Sequence, residues 1–383
     1  MEHYDYIITG SGASGLMMAY RMANDSFFDD LSILIIDKEN KNSNDRTWCF
    51  WEKNEGEWDD IVYKSWNAIL FNSDSFTKQI SLESYSYKMI RSANFYKKLW
   101  DVVLTKENII FIKDTVVKIN DNNDKVTVDT LNNQYQAHKL INSIDFDRTY
   151  TKQSIFPVLL QHFQGWFVET EEEVFDDSCA TFMDFTVEQH ANTRFMYVLP
   201  LSPRKALFEY TLFSKNLLSK DEYEREILQY LKNKSIKNYR IFEKEEGVIP
   251  MTSYKFWTHN SKNILHIGTI GGWTKASTGF TFRNTTKKTN QVIDFIKTQN
   301  DFRNFRKKTR FWWYDLLMID VLSKDNYFGS TLFSKLFQRN SLIKVFKYLD
   351  EETNFIEDVR IMLSIPPLKF ISALINRVVK IYS

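Results

Sequence analysis

The sequence predicts an α/β fold in three parts. A βαβ domain with a parallel sheet opens the chain, an antiparallel β-sheet lobe is inserted into it, and a helical region closes the chain. Three observations predict this. A glycine motif lies between two apolar strands before residue 40. Short strand-like runs separated by polar turns begin near residue 155. Beyond residue 285 the pattern becomes largely helical. The expected boundaries are 1–150 and 245–300 for the discontinuous first domain, 151–244 for the lobe, and 301–383 for the helical region.

The first domain begins with "YDYIITG" (4–10), a β-rich apolar run. "SGLMMAYRMAN" (14–24) follows with apolar residues at i, i+3 and i+4, as in a helix. "LSILIIDKE" (31–39) is apolar almost throughout, as in a buried parallel strand, and carries Asp37 near its end. Gly10, Gly12 and Gly15 have the spacing G-x-G-x-x-G in the strand–helix–strand context that a dinucleotide site requires. Gly10 permits the tight turn, Gly12 a close approach to pyrophosphate, and Gly15 close helix packing. Ser14 stands in the first helical turn, whose free N–H groups favour phosphate. The Asp37 carboxylate can accept from ribose hydroxyls, and its charge disfavours a 2′-phosphate. That points to FAD or NAD and to a Rossmann-type domain.

The N-terminal position of the motif and the aromatic-rich loop "SNDRTWCFWE" (43–52) favour FAD. Arg46 in that loop is a candidate for the flavin or its phosphates; the alternative is a surface loop with buried tryptophans. "YKMIRSANFYKKLW" (87–100) reads as an amphipathic helix with Ile90, Phe95 and Leu99 inside. Arg91 either points at the cofactor or is solvated. "NIIFIKDTVVKIN" (108–120) and "KVTVDT" (125–130) are strand-like around the turn "DNND", and "HKLINSID" (138–145) is a further buried strand.

In the lobe, "QHFQGWFVET" (161–170), "CATFMDF" (179–185), "RFMYVLPL" (194–201) and "KALFEYTLF" (205–213) are successive strands, the last two joined by a hairpin at "LSPRK". Alternation puts Ala206, Phe208, Tyr210 and Leu212 on one face and Leu207, Glu209, Thr211 and Phe213 on the other. Glu209 thus sits mid-strand among apolar neighbours. Burial would raise its pKa towards a range useful for proton transfer; the alternative is a solvent-facing glutamate on an exposed sheet face. Asp184 and Glu188 are either further proton-handling groups or parts of a turn at the sheet end.

"NILHIGTIGGWTKASTGFTF" (263–282) returns to the first domain as a short strand ending at Gly268. A glycine-rich loop follows, and a helix opens around Ser277, Thr278 and Gly279, whose N–H groups can face a flavin or pyrophosphate. In the tail, "DFRNFRKKTRFWWYDLL" (301–317) interleaves Arg303, Arg306, Lys307, Lys308 and Arg310 with Phe302, Phe305, Phe311, Trp312 and Trp313. This pattern suits an anionic membrane surface or a solvated basic face backed by core aromatics. "LKFISALINRVVKIYS" is a second amphipathic candidate.

Composition narrows the function classes. The 383 residues allow two or three domains, or one large domain with a grafted lobe. With 43% hydrophobic and 26% charged residues, disorder over most of the length is excluded. The 16% aromatic content predicts large flat apolar surfaces, in a core or a ligand tunnel. A net charge of +1 leaves no electrostatic footprint for nucleic acid, and none is expected as a partner. Cys49 and Cys179 match neither a metal spacing nor a disulfide framework, which fits a reducing, cytosolic setting. The six histidines lack ligand spacing, so no metal is expected. There is no signal-peptide pattern and no apolar run of 18 residues to span a membrane. Contact with a membrane surface stays open.

Several stretches together resemble the lycopene cyclase family of carotenoid biosynthesis, especially the bacterial β-cyclases. They are "YDYIITGSGASG", "DRTWCFWE", "QHFQGWFVE", "MDFTVEQ", "FMYVLPLSPRKALFEYT", "GVIPM", "STGF" and "RFWWYDLLMIDVL", in the family's order. The resemblance implies a fold like that of the flavoprotein hydroxylases. It implies Glu209 as catalytic acid, in a glutamate motif with Thr two positions on. Two departures stand out. Tyr210 occupies a place where the family often has a second acid, and Ala276 and Ser277 precede Thr278 where the family often has Pro.

The implied reaction is acid–base cyclisation of lycopene or a related acyclic carotenoid, without net redox change. It requires reduced FAD, with NAD(P)H as reductant. A water-insoluble substrate implies a cytoplasmic protein peripheral on the inner face of the cell membrane. The competing expectation is an FAD-dependent monooxygenase or dehydrogenase acting on an apolar substrate.

Overall fold

The computed structural model describes residues 2–305 and 308–382. Strand β1 (Glu2–Thr9) leads through helix α1 (Ala13–Ala23) to β2 (Ile33–Asp37). Next come β3 (Thr47–Lys53), β4 (Val62–Trp66), β5 (Ala68–Ser73), β6 (Phe76–Ser81) and β7 (Tyr85–Arg91), which runs straight into α2 (Ser92–Val103). The first part ends with β8 (Ile109–Lys113), β9 (Val116–Asp121), β10 (Val126–Thr130) and β11 (Gln134–Asn142). The lobe contains β12 (Leu159–Thr170), β13 (Cys179–Asp184), β14 (Thr193–Ser202), β15 (Lys205–Ser214), α3 (Lys220–Asn233) and β16 (Tyr239–Met251). After β17 (Ile264–His266) the chain is helical: α4 (Phe282–Thr298), α5 (Arg310–Lys324), α6 (Phe328–Arg339), α7 (Leu342–Leu349), α8 (Phe355–Ser364) and α9 (Leu368–Tyr382).

Three sheets organise these elements. The first has the order β8-β2-β1-β11-β10-β9, with β17 added beside β11. Its β1, β2, β8, β11 and β17 pair in parallel. Ile33 to Ile36 of β2 are fully buried, as a parallel strand covered on both faces demands. The second sheet has the order β16-β12-β15-β14-β13-β5-β6, and the third β3-β7-β4. The second sheet takes β5 and β6 from within 1–150, and its β16 runs on to Met251. It is therefore assembled from more of the chain than the 151–244 segment.

Local differences from the sequence reading have physical causes. Much of the expected loop 43–52 is strand β3, because its backbone pairs with β7 from Thr47↔Arg91 to Lys53↔Tyr85. The expected helix 87–100 is a strand as far as Arg91. β7 is the central strand of its sheet, hydrogen-bonded on both edges by β3 and β4, and the helix begins only at Ser92. The run 108–120 is two strands. Helix α4 opens at Phe282 rather than near Thr278, because residues 275–279 form a tight turn in which Gly279 has φ +74°. That left-handed conformation cannot continue into an α-helix.

The core is divided by the sheets. Ile8, Leu16, Met17, Leu265 and Val292 belong to the cluster joining α1 and α4 to the first sheet. On the second sheet, Phe208, Tyr210 and Leu212 of β15 cluster with Ile227 and Leu231 of α3. The opposite face contributes Leu207 and Phe213 to a cluster with Phe333, Phe337 and Phe346 of α6 and α7. Fully burying each such side chain stabilises the fold by roughly 1.5–3 kcal/mol. Aromatic stacks tie the sheets to the tail: Trp51 on Phe346 at 4.3 Å and Phe71 on Phe337 at 4.5 Å.

In the helical tail, the segment 301–317 combines an exposed basic face with aromatics that are buried or part-buried, apart from the exposed Trp313. Phe302 and Phe311 are buried, and Arg303 and Arg310 are ion-paired with Asp301 and Asp358. Lys308 lies over the rings of Trp312 and Trp313, while Arg306 and Lys307 lie outside the described residues. Many of the exposed apolar side chains lie on α8 and α9, where Leu363 is 70% and Leu368 79% exposed. Among the described residues no helix is long and apolar enough to cross a membrane.

Candidate active site

The glycine motif forms a turn between β1 and α1. Gly10 has φ +85°, and a Cβ there would lie 2.3 Å from Ser143 Oγ. A Cβ on Gly15 would lie 1.8 Å from the Gly10 carbonyl oxygen, so the helix packs on its own loop only because Gly15 is bare. Gly12 differs: nothing lies within 4 Å of its missing Cβ. It caps α1 without a side-chain hydrogen bond, and the first helical turn contains no acid. The N-terminal N–H groups and the helix dipole therefore face open space suited to an anion.

Two distant glycines close on the same place. Gly268, after β17, has φ +64°, and a Cβ on it would meet Ser14 Oγ at 2.5 Å. A Cβ on Gly279 would meet Gln161 Oε1 at 2.1 Å. Gly12, Ser14, Arg46, Gly268, Gly279 and Glu209 all line one cavity of about 440 Å³. Its wall includes Trp48, Tyr87, Tyr96, Phe163, Tyr197 and Phe282. The cavity thus lies where the three sheets meet.

Glu209 reaches this cavity from β15. In the sheet it stands opposite Tyr197 of β14 and Gly165 of β12. Thr211 Oγ1 donates to Glu209 Oε1 at 2.8 Å. The side chain keeps partial exposure, because it opens onto the cavity while protein surrounds it elsewhere. Burial first, and the negative charge of Glu245 second, push its carboxyl up to about 8, against the Thr211 hydrogen bond. Its surroundings thus favour the neutral, proton-carrying form of Glu209. The solvent-facing alternative does not hold.

Other sequence candidates fall on and off the wall. Asp37 is buried beside the glycine turn. Its Oδ2 accepts from Ser11 N at 2.5 Å and Ser11 Oγ at 3.0 Å, and its Oδ1 from Glu39 N at 2.9 Å. It stays within reach of the loop but is not among the cavity-lining residues. Arg91 is neither solvated nor aimed into the cavity. It is ion-paired with Glu243 and its guanidinium lies 4.2 Å from the Phe167 ring centre. Thr278 is buried in the turn before Gly279, its hydroxyl without a hydrogen-bond partner among the described residues.

Asp184 is fully buried at the end of β13 and held by Thr186, Tyr230, Asn72 and Lys234. Glu188 is paired with His190 on the surface. Neither lines the cavity. Tyr210 points to the opposite face of the sheet from Glu209, where Arg194 Nη1 donates to its hydroxyl at 3.1 Å. An acid at position 210 would therefore not have shared the cavity with Glu209.

The sequence reading missed Glu245, Cys49, Tyr87 and Tyr197. Cys49 and Tyr87 come together only when β3 pairs with β7, where they are diagonal neighbours, Cys49 opposite Met89 and Tyr87 opposite Trp51. Glu245 lies in "EKEEG", a charged run that looks solvated. Its one signal was alternation along β16, which puts Glu243, Glu245 and Gly247 on one face.

The residues at the cradle fit a dinucleotide such as FAD. Gly12 leaves room for a pyrophosphate, and on the same cavity wall the Thr285 hydroxyl and Gln161 Oε1 are buried polar atoms without hydrogen-bond partners among the described residues. The fold is of a class shared with a reductase-like protein, a halogenase solved with FAD and a flavin-dependent brominase. It matches a geranylgeranyl bacteriochlorophyll reductase-like protein from Thermoplasma acidophilum with TM-score 0.60 at 13% identity, covering 98% of this chain and 96% of that one. It matches a mutant of the halogenase PltM in complex with FAD with TM-score 0.57 at 10% identity, covering 91% and 82%. The flavin-dependent brominase Bmp2 gives TM-score 0.54 at 12% identity, covering 99% and 100%.

Within this class the chain belongs to the lycopene cyclase protein family, whose pattern it matches over residues 5–375. A lycopene beta-cyclase from Pantoea ananas is 24% identical over 267 residues, 65% of this chain and 63% of that protein. The match therefore spans less than two thirds of that relative's length.

Proposed function

We propose that the protein is a lycopene β-cyclase, an isomerase (intramolecular lyase) that closes the acyclic ends of lycopene into β-ionone rings, giving γ-carotene and β-carotene. The observation that carries this reading is the Glu209 carboxyl, enclosed so that its neutral form is favoured, on the wall of an aromatic-lined cavity shared with the glycine cradle. Gly10, Gly12, Ser14 and Gly15 would hold the pyrophosphate of FAD, with Gly268, Thr278 and Gly279 closing the opposite side. Asp37 would support the ribose end of the loop, and Arg46, on the cavity wall, would meet the phosphates. Reduced FAD, with NAD(P)H as reductant, supplies an electron-rich, anionic neighbour for a developing carbocation.

Glu209 donates its proton to a terminal double bond of the substrate. The resulting cation is attacked by the next double bond, a six-membered ring closes, and loss of a ring proton leaves the β-end group. Atoms and electrons balance within the substrate, so no net oxidation occurs. Tyr87, Tyr197 and Trp48 line the wall, where aromatic rings would attract a cation and exclude water that would otherwise capture it.

Substrate held in a bilayer needs a docking surface, and the exposed apolar faces of α8 and α9 supply one. Lys369 and Arg377 lie on α9. The reading places the protein on the cytoplasmic face of the membrane. No nucleic acid or obligate protein partner enters the reading.

The test is anaerobic turnover with pre-reduced FAD and lycopene in liposomes. Cyclised product of unchanged mass, with the flavin still reduced, is the expected result. Stoichiometric consumption of NADPH and oxygen would overturn the reading in favour of a redox enzyme.

A further inference from the structure

Glu209 is not the only carboxyl on its rung of the sheet. Gly165 of β12 pairs with Glu209 of β15 on one side and with Glu245 of β16 on the other. A Cβ on Gly165 would lie 3.0 Å from Glu245 Cγ and 3.4 Å from its Oε1. The Glu245 side chain therefore leans over the bare glycine towards the strand of Glu209. Its Oε1 is buried without a hydrogen-bond partner among the described residues, while Oε2 accepts from Thr47 Oγ1 at 2.6 Å.

We infer that Glu209 and Glu245 are a carboxyl pair sharing one proton across Gly165, with the proton on Glu209 and the negative charge on Glu245. Glu245 is then a positioning residue, which acts by keeping Glu209 a proton donor. This rests on the acid–base reading above.

The surroundings decide which partner carries the charge. Burial raises both carboxyls. Around Glu245 the Thr47 hydroxyl donates, and the positive charges of Arg91 and Arg46 favour its ionised form, against Glu243. Around Glu209 only Thr211 donates, and Glu245 opposes ionisation. The other titratable groups facing the pair are Cys49 from β3, Tyr87 from β7 and Tyr197 from β14. Burial pushes all three up, so they stay neutral. Two like charges this close cannot both be held cheaply, so one proton stays on the pair.

The consequence for turnover is direct. When Glu209 gives up its proton, its O–H bond breaks and a substrate C–H bond forms. The pair then bears two negative charges facing a carbocation. When the ring C–H bond breaks, its proton returns to the pair and restores the starting state.

The test compares wild type, Glu245→Gln and Glu245→Asp as full-length, flavin-loaded proteins. Turnover is read across pH, and the protonated carboxyl band by infrared titration without substrate. Wild type loses turnover as pH rises through the Glu209 pKa. In Glu245→Gln this alkaline limb and the band both move down by ~1 pH unit or more, with turnover approaching wild type in acid. Glu245→Asp restores the limb. An unshifted limb with uniformly lower turnover overturns the inference. So does a wild-type titration in which both carboxyls ionise together in the ordinary range, a result independent of whether Glu245→Gln folds. Failure of wild type to cyclise lycopene overturns the function, while the infrared titration still judges the pair.

Discussion

Gly12 and Glu209 line one cavity, but the chain positions them by different means. Gly12 sits where it does because of its immediate neighbours: a strand, a tight turn at Gly10 and a helix start. Glu209 sits where it does because β12 and β16, which lie further along the chain on either side, join the β14–β15 hairpin in register. The cradle is a local backbone solution. The acid is a tertiary one, since the same glutamate on an uncovered sheet would be an ordinary ionised surface group. Local geometry makes the cradle tolerant of changes elsewhere, whereas the acid depends on every element that buries it.

The largest effect should come from the acid. Glu209→Gln is expected to lower turnover about 10²–10⁴-fold while flavin absorbance is retained. Retained cyclisation would remove Glu209 as proton donor and reduce the site to its cradle.

Next is the link between the two regions. Lys275 starts the turn that carries Gly279, and its carbonyl accepts from the Thr278 and Gly279 N–H groups. Its buried Nζ donates to Asp315 of α5 at 3.1 Å. Lys275→Met leaves Asp315 buried without its cation and should cost about 3–5 kcal/mol, read as a fall in Tm. An unchanged Tm would mean that the tail does not brace the turn.

Two glycines of one motif then separate packing from ligand contact. Gly15→Ala drives a methyl group into the Gly10 carbonyl and should cost about 1–3 kcal/mol. Gly12→Ala meets no protein atom and should change stability by less than about 0.5 kcal/mol. It should nevertheless weaken retention of flavin on gel filtration. Equal losses of stability in the two variants would show that Gly12 is a packing residue.

A further test reads the pH dependence of stability. An acid raised on folding from 4.5 to about 8 leaves the fold unburdened below the lower value. It weakens the fold progressively as pH rises to the upper one. Glu209→Gln has no such cost. Its stability advantage over wild type should grow by up to about 1.4 kcal/mol per pH unit across that window and be flat outside it. An advantage independent of pH would mean that Glu209 is not buried as a neutral acid.

The two regions were unequally legible. "TGSGASG" announced itself because a left-handed turn, a bare helix cap and a close helix–loop contact each demand glycine at a set spacing. Asp37 was placed beside that turn, but the structure shows its carboxylate already engaged by Ser11 and Glu39. Arg91 was drawn towards the cofactor by proximity in sequence. Folding gave it to Glu243, because β7 remains a strand up to that residue. Glu245 was invisible in a run of charges, since only the register with Gly165 turns it inward. The aromatic residues of 301–317 pack inward in part, with Phe302 and Phe311 buried and Trp313 exposed, and many of the exposed apolar side chains lie on α8 and α9.

By itself the sequence determined the βαβ cradle, the strand carrying Glu209, the face on which it lies, and the family. These depend on backbone conformation and two-residue alternation, which short segments encode. Only the tertiary structure decided that Glu209 is enclosed on a cavity wall, that Gly268 and Gly279 line the same cavity as Gly12, and that Glu245 stands across Gly165. A carboxyl's proton affinity depends on what surrounds it within a few ångströms, and those neighbours come from strands that meet only when the sheets assemble.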